Sequence, residues 1–113
     1  MSDRQINEKL VKSFLDIIIM ALMNGTSMHG YAIMATVHRE FGVLLSPGTL
    51  YPLLHALEDN ELLSSSNNSG KVVYKVSTKG KQKFERTLNA FNKGVQKLSN
   101  FIERNGEEAV LTV

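Results

Sequence analysis

The chain has 113 residues, no cysteine, 42% hydrophobic and 21% charged residues, and a formal net charge of +2. That length suits one domain with a modest core, and the composition excludes global disorder, collagen and a continuous coiled coil. The missing cysteines exclude disulfides, thiolate zinc sites and cysteine nucleophiles, and the longest apolar run, Ile17 to Met23, is too short to span a bilayer.

A first helix is predicted over Asn7–Met23. Leu10, Phe14, Ile17 and Ala21 mark one face at steps of four, three and four, and Val11, Leu15, Ile18 and Leu22 add a second stripe. A helix apolar nearly all round is buried on most sides or meets a second chain. Asn24-Gly25 ends it. Thr26 and Ser27 are candidate N-caps for a second helix from Met28 to Phe41, with Ile33, Met34, Val37 and Phe41 inward and Gly42 closing it. Ser46 caps a third helix with Pro47 at its first position, running to about Asn60. Leu50, Leu53, Leu54 and Leu57 form its core stripe. Thr49, Tyr51, Pro52, His55 and Ala56 lie opposite. Pro52 is strained inside a helix, and Gly48, four residues back, minimises the crowding.

Leu62-Leu63 opens a short strand. The polar stretch Ser64–Gly70 reads as a projecting hairpin loop, longer than a two-residue turn. Lys71–Ser77 returns as a strand, with Val72, Tyr74 and Val76 alternating against Val73 and Lys75. Thr78 caps a long last helix to about Arg104. Along it Phe84, Leu88, Phe91, Val95, Leu98 and Ile102 step by four and three in a heptad seam. Residues 105–113 read as a flexible tail.

The expected fold is therefore mainly α with a small β-hairpin. Residues 1–78 form a winged helix-turn-helix, 79–104 a dimerisation helix and 105–113 the tail. In that architecture the third helix enters the major groove and the hairpin wing touches the flanking backbone. Thr49 and Tyr51 can offer hydroxyl and apolar contacts to DNA, and His55 a donor to a phosphate or base edge, although Tyr51 and His55 also fit an ordinary surface. Charge points the same way. Residues 1–70 hold four basic and seven acidic residues, 71–97 hold eight basic and one acidic, and 98–113 hold one basic and three acidic. A basic block in a near-neutral chain suits a local polyanion contact or a solvated helix face. Lys71 and Lys75 lie on the wing; Lys79, Lys83 and Arg86 share a face of the last helix. Apolar surface on the first and last helices exceeds what a small monomer hides, so a homodimer is expected. Leu10, Phe14, Ile17, Leu88, Phe91, Val95, Leu98 and Ile102 are its candidate contacts.

Three blocks carry a resemblance: Phe14–Ile19, Met28-His29-Gly30-Tyr31, and Leu45-Ser46-Pro47-Gly48-Thr49-Leu50-Tyr51-Pro52-Leu53-Leu54-His55. Over about residues 10–85 the chain resembles the PadR family of transcriptional regulators, and Val73–Gly80 resembles that family's second wing strand and last-helix start. The resemblance implies a dimeric winged-helix repressor that binds double-stranded DNA, and the symmetry of such a dimer predicts a near-palindromic operator. It assigns Ser46, Pro47, Gly48, Thr49, Tyr51 and Pro52 to the start of the recognition helix. It sets His29, Gly30 and Tyr31 at the second helix's start, where backbone N–H groups can hold a phosphate or the glycine can serve close packing. It also leaves room for a small-molecule effector that the sequence does not name; Phe14, Phe91 and Phe101 line a small pocket or belong to the dimer core. The chain departs from the family pattern at Ala56, often basic in the family, at Glu61, often glycine, and at a wing tip with one charge.

The absence of a membrane span or secretion signal leads to an expected cytoplasmic location. His29, His38 and His55 lack metal-ligand spacing, and no Gly-rich phosphate loop or nucleophile–base pair occurs. Catalysis, metal and cofactor are therefore not expected. The other functional class is a winged-helix protein-interaction module without specific DNA binding. Salt-dependent retention on DNA separates the two.

Overall fold

Ser2 opens the first helix. Its Oγ accepts from the Gln5 amide while the Gln5 side chain accepts from the Ser2 amide, a reciprocal capping box. The computed structural model describes residues 1–111, the side chains as far as residue 106. Helix α1 spans Asp3–Ser13, the chain bends at Phe14, and α2 spans Leu15–Leu22. The single helix expected over Asn7–Met23 is thus two. Val11 of α1 and Leu15, Ile19 and Met20 of α2 all reach the core.

Met28–His29 form a two-residue strand, β1, and α3 spans Gly30–Phe41. The cap is His29, whose Nδ1 accepts from the Ala32 amide at 3.1 Å; Thr26 and Ser27, the expected caps, precede β1. Gly42 ends α3 at φ 68°, a left-handed conformation suited to glycine. Ile33 and Val37 are buried, but Phe41, expected inward, is 39% exposed. Helix α4 spans Pro47–Asp59 with Ser46 as its cap and Pro52 inside it. Leu50, Leu54 and Leu57 are buried as the stripe requires.

The wing differs from its expected form. Strand β2 spans Leu63–Asn68 and β3 spans Lys71–Val76, paired antiparallel from Leu63↔Val76 to Asn68↔Lys71. Only Ser69 and Gly70 remain as the turn, at φ 54° and 82°. Two left-handed residues make the primed turn whose twist matches a hairpin. The polar run Ser64–Asn68 is strand because β3 supplies its partners. On the other side, β1 pairs with β3, giving the sheet order β1-β3-β2.

The last helix, α5, spans Thr78–Leu111. It continues past Arg104, the expected end; residues 112–113 of the expected tail lie outside those described. Its cap is Ser77 rather than Thr78. The Ser77 Oγ accepts from the Gly80 amide at 2.9 Å and donates to the Glu61 carbonyl, and the Ser77 amide donates to the Leu62 carbonyl at 3.0 Å. Gly80 lies so close to that same carbonyl that a Cβ there would overlap it. Glu61 sits at φ 62°. The Lys79 ammonium bonds its carboxylate at 2.9 Å and holds the Glu61 carboxyl below its usual pKa. A helix of this length is about 51 Å long. It therefore raises the Cα radius of gyration to 16.9 Å, against roughly 13 Å for a compact chain of this size.

Candidate nucleic-acid interface

The start of α4 is fully presented to solvent: Ser46, Pro47, Gly48 and Thr49 are all exposed. The Ser46 Oγ accepts from the Thr49 amide at 3.2 Å and shares a hydrogen bond with Thr49 Oγ1 at 3.1 Å. The Thr49 and Leu50 amides both donate to the Ser46 carbonyl at 3.1 Å. The first turn is thus tied down without a side chain from elsewhere, and the Thr49 methyl and second lone pair stay available. Pro52 has no N–H to offer the Gly48 carbonyl, which lies on this exposed turn.

Beside it lies a cleft of about 470 Å³ lined by His29, Gly30, Tyr31, Tyr51, His55, Lys71, Val72 and Tyr74. Three elements meet there. The start of α3 brings His29 and the 72% exposed Tyr31, α4 brings Tyr51 and His55, and β3 brings Lys71. Because His29 Nδ1 accepts from Ala32, the neutral ring carries its proton on Nε2, the nitrogen left free to donate. The cap also takes up one amide of the α3 start, so a phosphate there would meet an imidazole donor as well as backbone. Tyr51 is half-buried over Gly30, where a Cβ would collide with its ring. The close-packing reading of Gly30 is therefore the one the geometry shows. Burial, with the Glu58 carboxylate and Tyr51 nearby, raises the Tyr74 hydroxyl above its ordinary pKa, so it remains a neutral wall. Ser65 of β2 donates to the Glu58 carboxylate of α4, clasping the wing to the end of that helix. Val72 and Tyr74 are cleft residues the sequence reading did not select, although their alternation on β3 set them on one face. Lys75, on the wing strand behind Lys71, lies with Lys81 and the turn Gly25–Ser27.

The candidate dimer contacts divide into two groups. Leu10, Leu88, Val95, Leu98 and Ile102 are 38–59% exposed, and Phe101 is 55% exposed. Phe14 and Phe91 are half-buried and meet each other edge-on within the chain, centroids 5.0 Å apart. Ile17 lines a groove of about 320 Å³ between α2, α4 and α5, with Met20, Leu53, Leu57 and Phe84 among its walls. Among the described residues no three His, Asp or Glu side chains gather as a metal cluster, and no helix is long and apolar enough to cross a membrane.

The profile of the transcriptional regulator PadR-like family matches residues 18–86. The transcriptional activator GvpE of Haloferax mediterranei is 31% identical over 99 residues, which are 85% of this chain and 48% of that protein; the chain spans about half the length of that curated relative. A PadR family transcription regulator from Clostridium difficile superposes with a TM-score of 0.68 at 25% identity, over 79% of this chain and 98% of that one. A winged-helix DNA-binding protein from STIV superposes with a TM-score of 0.63 at 25% identity, over 75% of this chain and 92% of that one.

Proposed function

This chain belongs to the PadR-like family of transcriptional regulators, and from that premise we propose that it is a dimeric, sequence-specific DNA-binding repressor. One observation carries the reading: five residues selected from sequence, His29, Tyr31, Tyr51, His55 and Lys71, converge on a single cleft beside the exposed start of α4. In this reading α4 enters the major groove, with Thr49 and the Tyr51 edge nearest the bases. Ser46, Gly48 and the Pro47 and Pro52 rings shape the approach. The cleft takes the sugar–phosphate backbone between α4 and the wing. There the His29 Nε2 proton, the Tyr31 hydroxyl and the Lys71 ammonium act as donors, and phosphate contacts fix register while base contacts carry sequence. With a single cation in the cleft, the wing is a helper.

The apolar face of α5, with Leu10 of α1, supplies the dimer contact, each such side chain contributing about 1.5–3 kcal/mol when fully buried. A twofold pair of heads reads half-sites about one helical turn apart. The α2–α4–α5 groove is where a small apolar effector would touch the back of α4 and the root of α5 together. Selection from a random duplex pool tests the reading. It predicts a twofold-symmetric site bound far more tightly than bulk DNA, with affinity falling as salt rises. Failure to enrich any sequence, with the chain folded, would favour a protein-interaction module.

A further inference from the structure

Toward the end of β3 farther from Lys71, three segments meet around a depression of about 200 Å³. They are the turn Gly25-Thr26-Ser27 after α2, Lys75 and Val76 of β3, and Lys81 in the first turn of α5. Its floor is apolar, since Met23 and Val76 are buried. Its rim carries two ammonium groups and two hydroxyls, all on exposed residues, and no carboxylate lines it. Among the described residues neither Lys75 nor Lys81 is in an ion pair, whereas their neighbour Lys79 is bound by Glu61. The Thr26 and Ser27 hydroxyls likewise make no hydrogen bond within the described residues. Two like charges around one depression repel each other, and an anion between them reverses the sign of that energy. The volume admits one tetrahedral oxyanion and a few waters at about 30 Å³ each.

We propose that this depression is a second phosphate site, separate from the cleft, in which Lys75 and Lys81 supply point charges and Thr26 and Ser27 supply hydroxyl donors. The phosphate belongs either to DNA running past the base of the wing or to a free phosphate compound. Only the first source rests on the DNA-binding reading above.

The test uses the full chain. Inorganic phosphate is titrated at constant ionic strength while backbone amides are followed by NMR. Saturable shifts are expected at residues 25–27, 75 and 81. They vanish in the Lys75→Ala/Lys81→Ala double variant and weaken severalfold in Thr26→Ala/Ser27→Ala. The Lys93→Ala/Lys97→Ala variant removes the same charge farther along α5 and leaves them intact. In the second arm, the selected operator is bound across a salt series as a trimmed and as an extended duplex. A DNA source means that Lys75→Ala/Lys81→Ala lowers the logarithmic salt slope by about 0.9 per lost contact on the extended duplex alone. Saturable phosphate binding without such flank dependence assigns the site to a free phosphate compound. Absence of both effects, or equal loss in the Lys93→Ala/Lys97→Ala variant, overturns the site. A wild-type chain that binds no DNA defeats the reading of α4 but leaves the phosphate titration standing, so the two failures are distinguishable.

Discussion

Gly30→Ala tests whether Tyr51 needs bare backbone beneath it. Gly30 is buried at the start of α3, and a Cβ built there would lie 2.7 and 2.8 Å from two carbons of the Tyr51 ring, well inside van der Waals contact. Its φ is outside the left-handed region, so alanine fits the backbone and the clash is the main penalty. Overpacking of this kind costs about 1–3 kcal/mol. Tyr51→Ala is expected to cost about 1–3 kcal/mol, below the 3–5 of a fully buried aromatic ring, because Tyr51 is half-buried. With the ring gone, the added methyl has room, and alanine for glycine then stabilises by about 0.4–1 kcal/mol through the unfolded chain. The double variant should therefore be more stable than the summed single effects by roughly 1.5–4 kcal/mol. Urea unfolding of the four proteins, followed by circular dichroism, measures this. Operator binding should fall in Gly30→Ala as it does in Tyr51→Ala, since both displace the same ring. Additivity within about 0.5 kcal/mol would refute the seat and leave Gly30 with a role unrelated to Tyr51.

Five further outcomes follow from other parts of the chain. Gly80→Ala sets a Cβ against the Leu62 carbonyl and should destabilise by about 3 kcal/mol or more, since backbone on both sides has little room to relax; a near-wild-type unfolding midpoint counts against the close approach. Glu61→Gly relieves a left-handed φ and should raise the melting temperature even though the Lys79 ion pair is lost, as exposed pairs contribute little. Because Lys79 lowers the Glu61 pKa, the pair stabilises above the ordinary carboxylate value and that contribution disappears as pH falls through the lowered one; the stability gap between wild type and Glu61→Gln should close toward acid. Leu98→Ala/Ile102→Ala removes exposed side chains only and should give a folded monomer by sedimentation, and a wild type already monomeric at micromolar concentration would end the dimer reading. Lys71→Ala should lower the salt slope by about 0.9 per subunit and weaken operator and unrelated DNA alike; a loss confined to the operator would mean Lys71 reads bases.

What could be read from the sequence was what repeats. The α4 stripe of Leu50, Leu54 and Leu57, the alternation of β3 and the long seam of α5 each repeat at the period of their element, because apolar side chains gather on one side of each. What stayed hidden depends on partners distant in sequence. Ser64–Asn68 has little strand preference of its own and becomes strand through its ladder to β3. Met28–His29 is too short to show any period. Thr26 and Ser27 look like better caps than His29 until the β1–β3 pairing claims the residues between them and α3. The bend at Phe14 interrupts no apolar pattern, and its edge-on partner Phe91 lies far along the chain. At the cleft, Tyr51 and His55 were legible as the open side of α4, and Lys71 as the wing tip. That Lys75 belongs elsewhere follows only from the β1–β3 register, Met28 opposite Tyr74, which brings the turn Gly25–Ser27 beside it.

The serine between β3 and α5 has a consequence for distance. Ser77 is bonded to Glu61, Leu62 and Gly80, so the root of the last helix is locked to the head that carries α4. An α-helix advances 1.5 Å and turns 100° per residue. In the proposed dimer the count of residues from Ser77 to the first exposed seam position, Leu88, would therefore set both the rotational phase and the reach of each head. One residue inserted after Arg86 would swing the head by about 100° and abolish paired reading. Seven would restore its direction to within about 20° and lengthen each arm by about 10.5 Å, close to three base-pair steps of about 3.4 Å. Such a chain would keep its preferred half-site and read it at a different spacing.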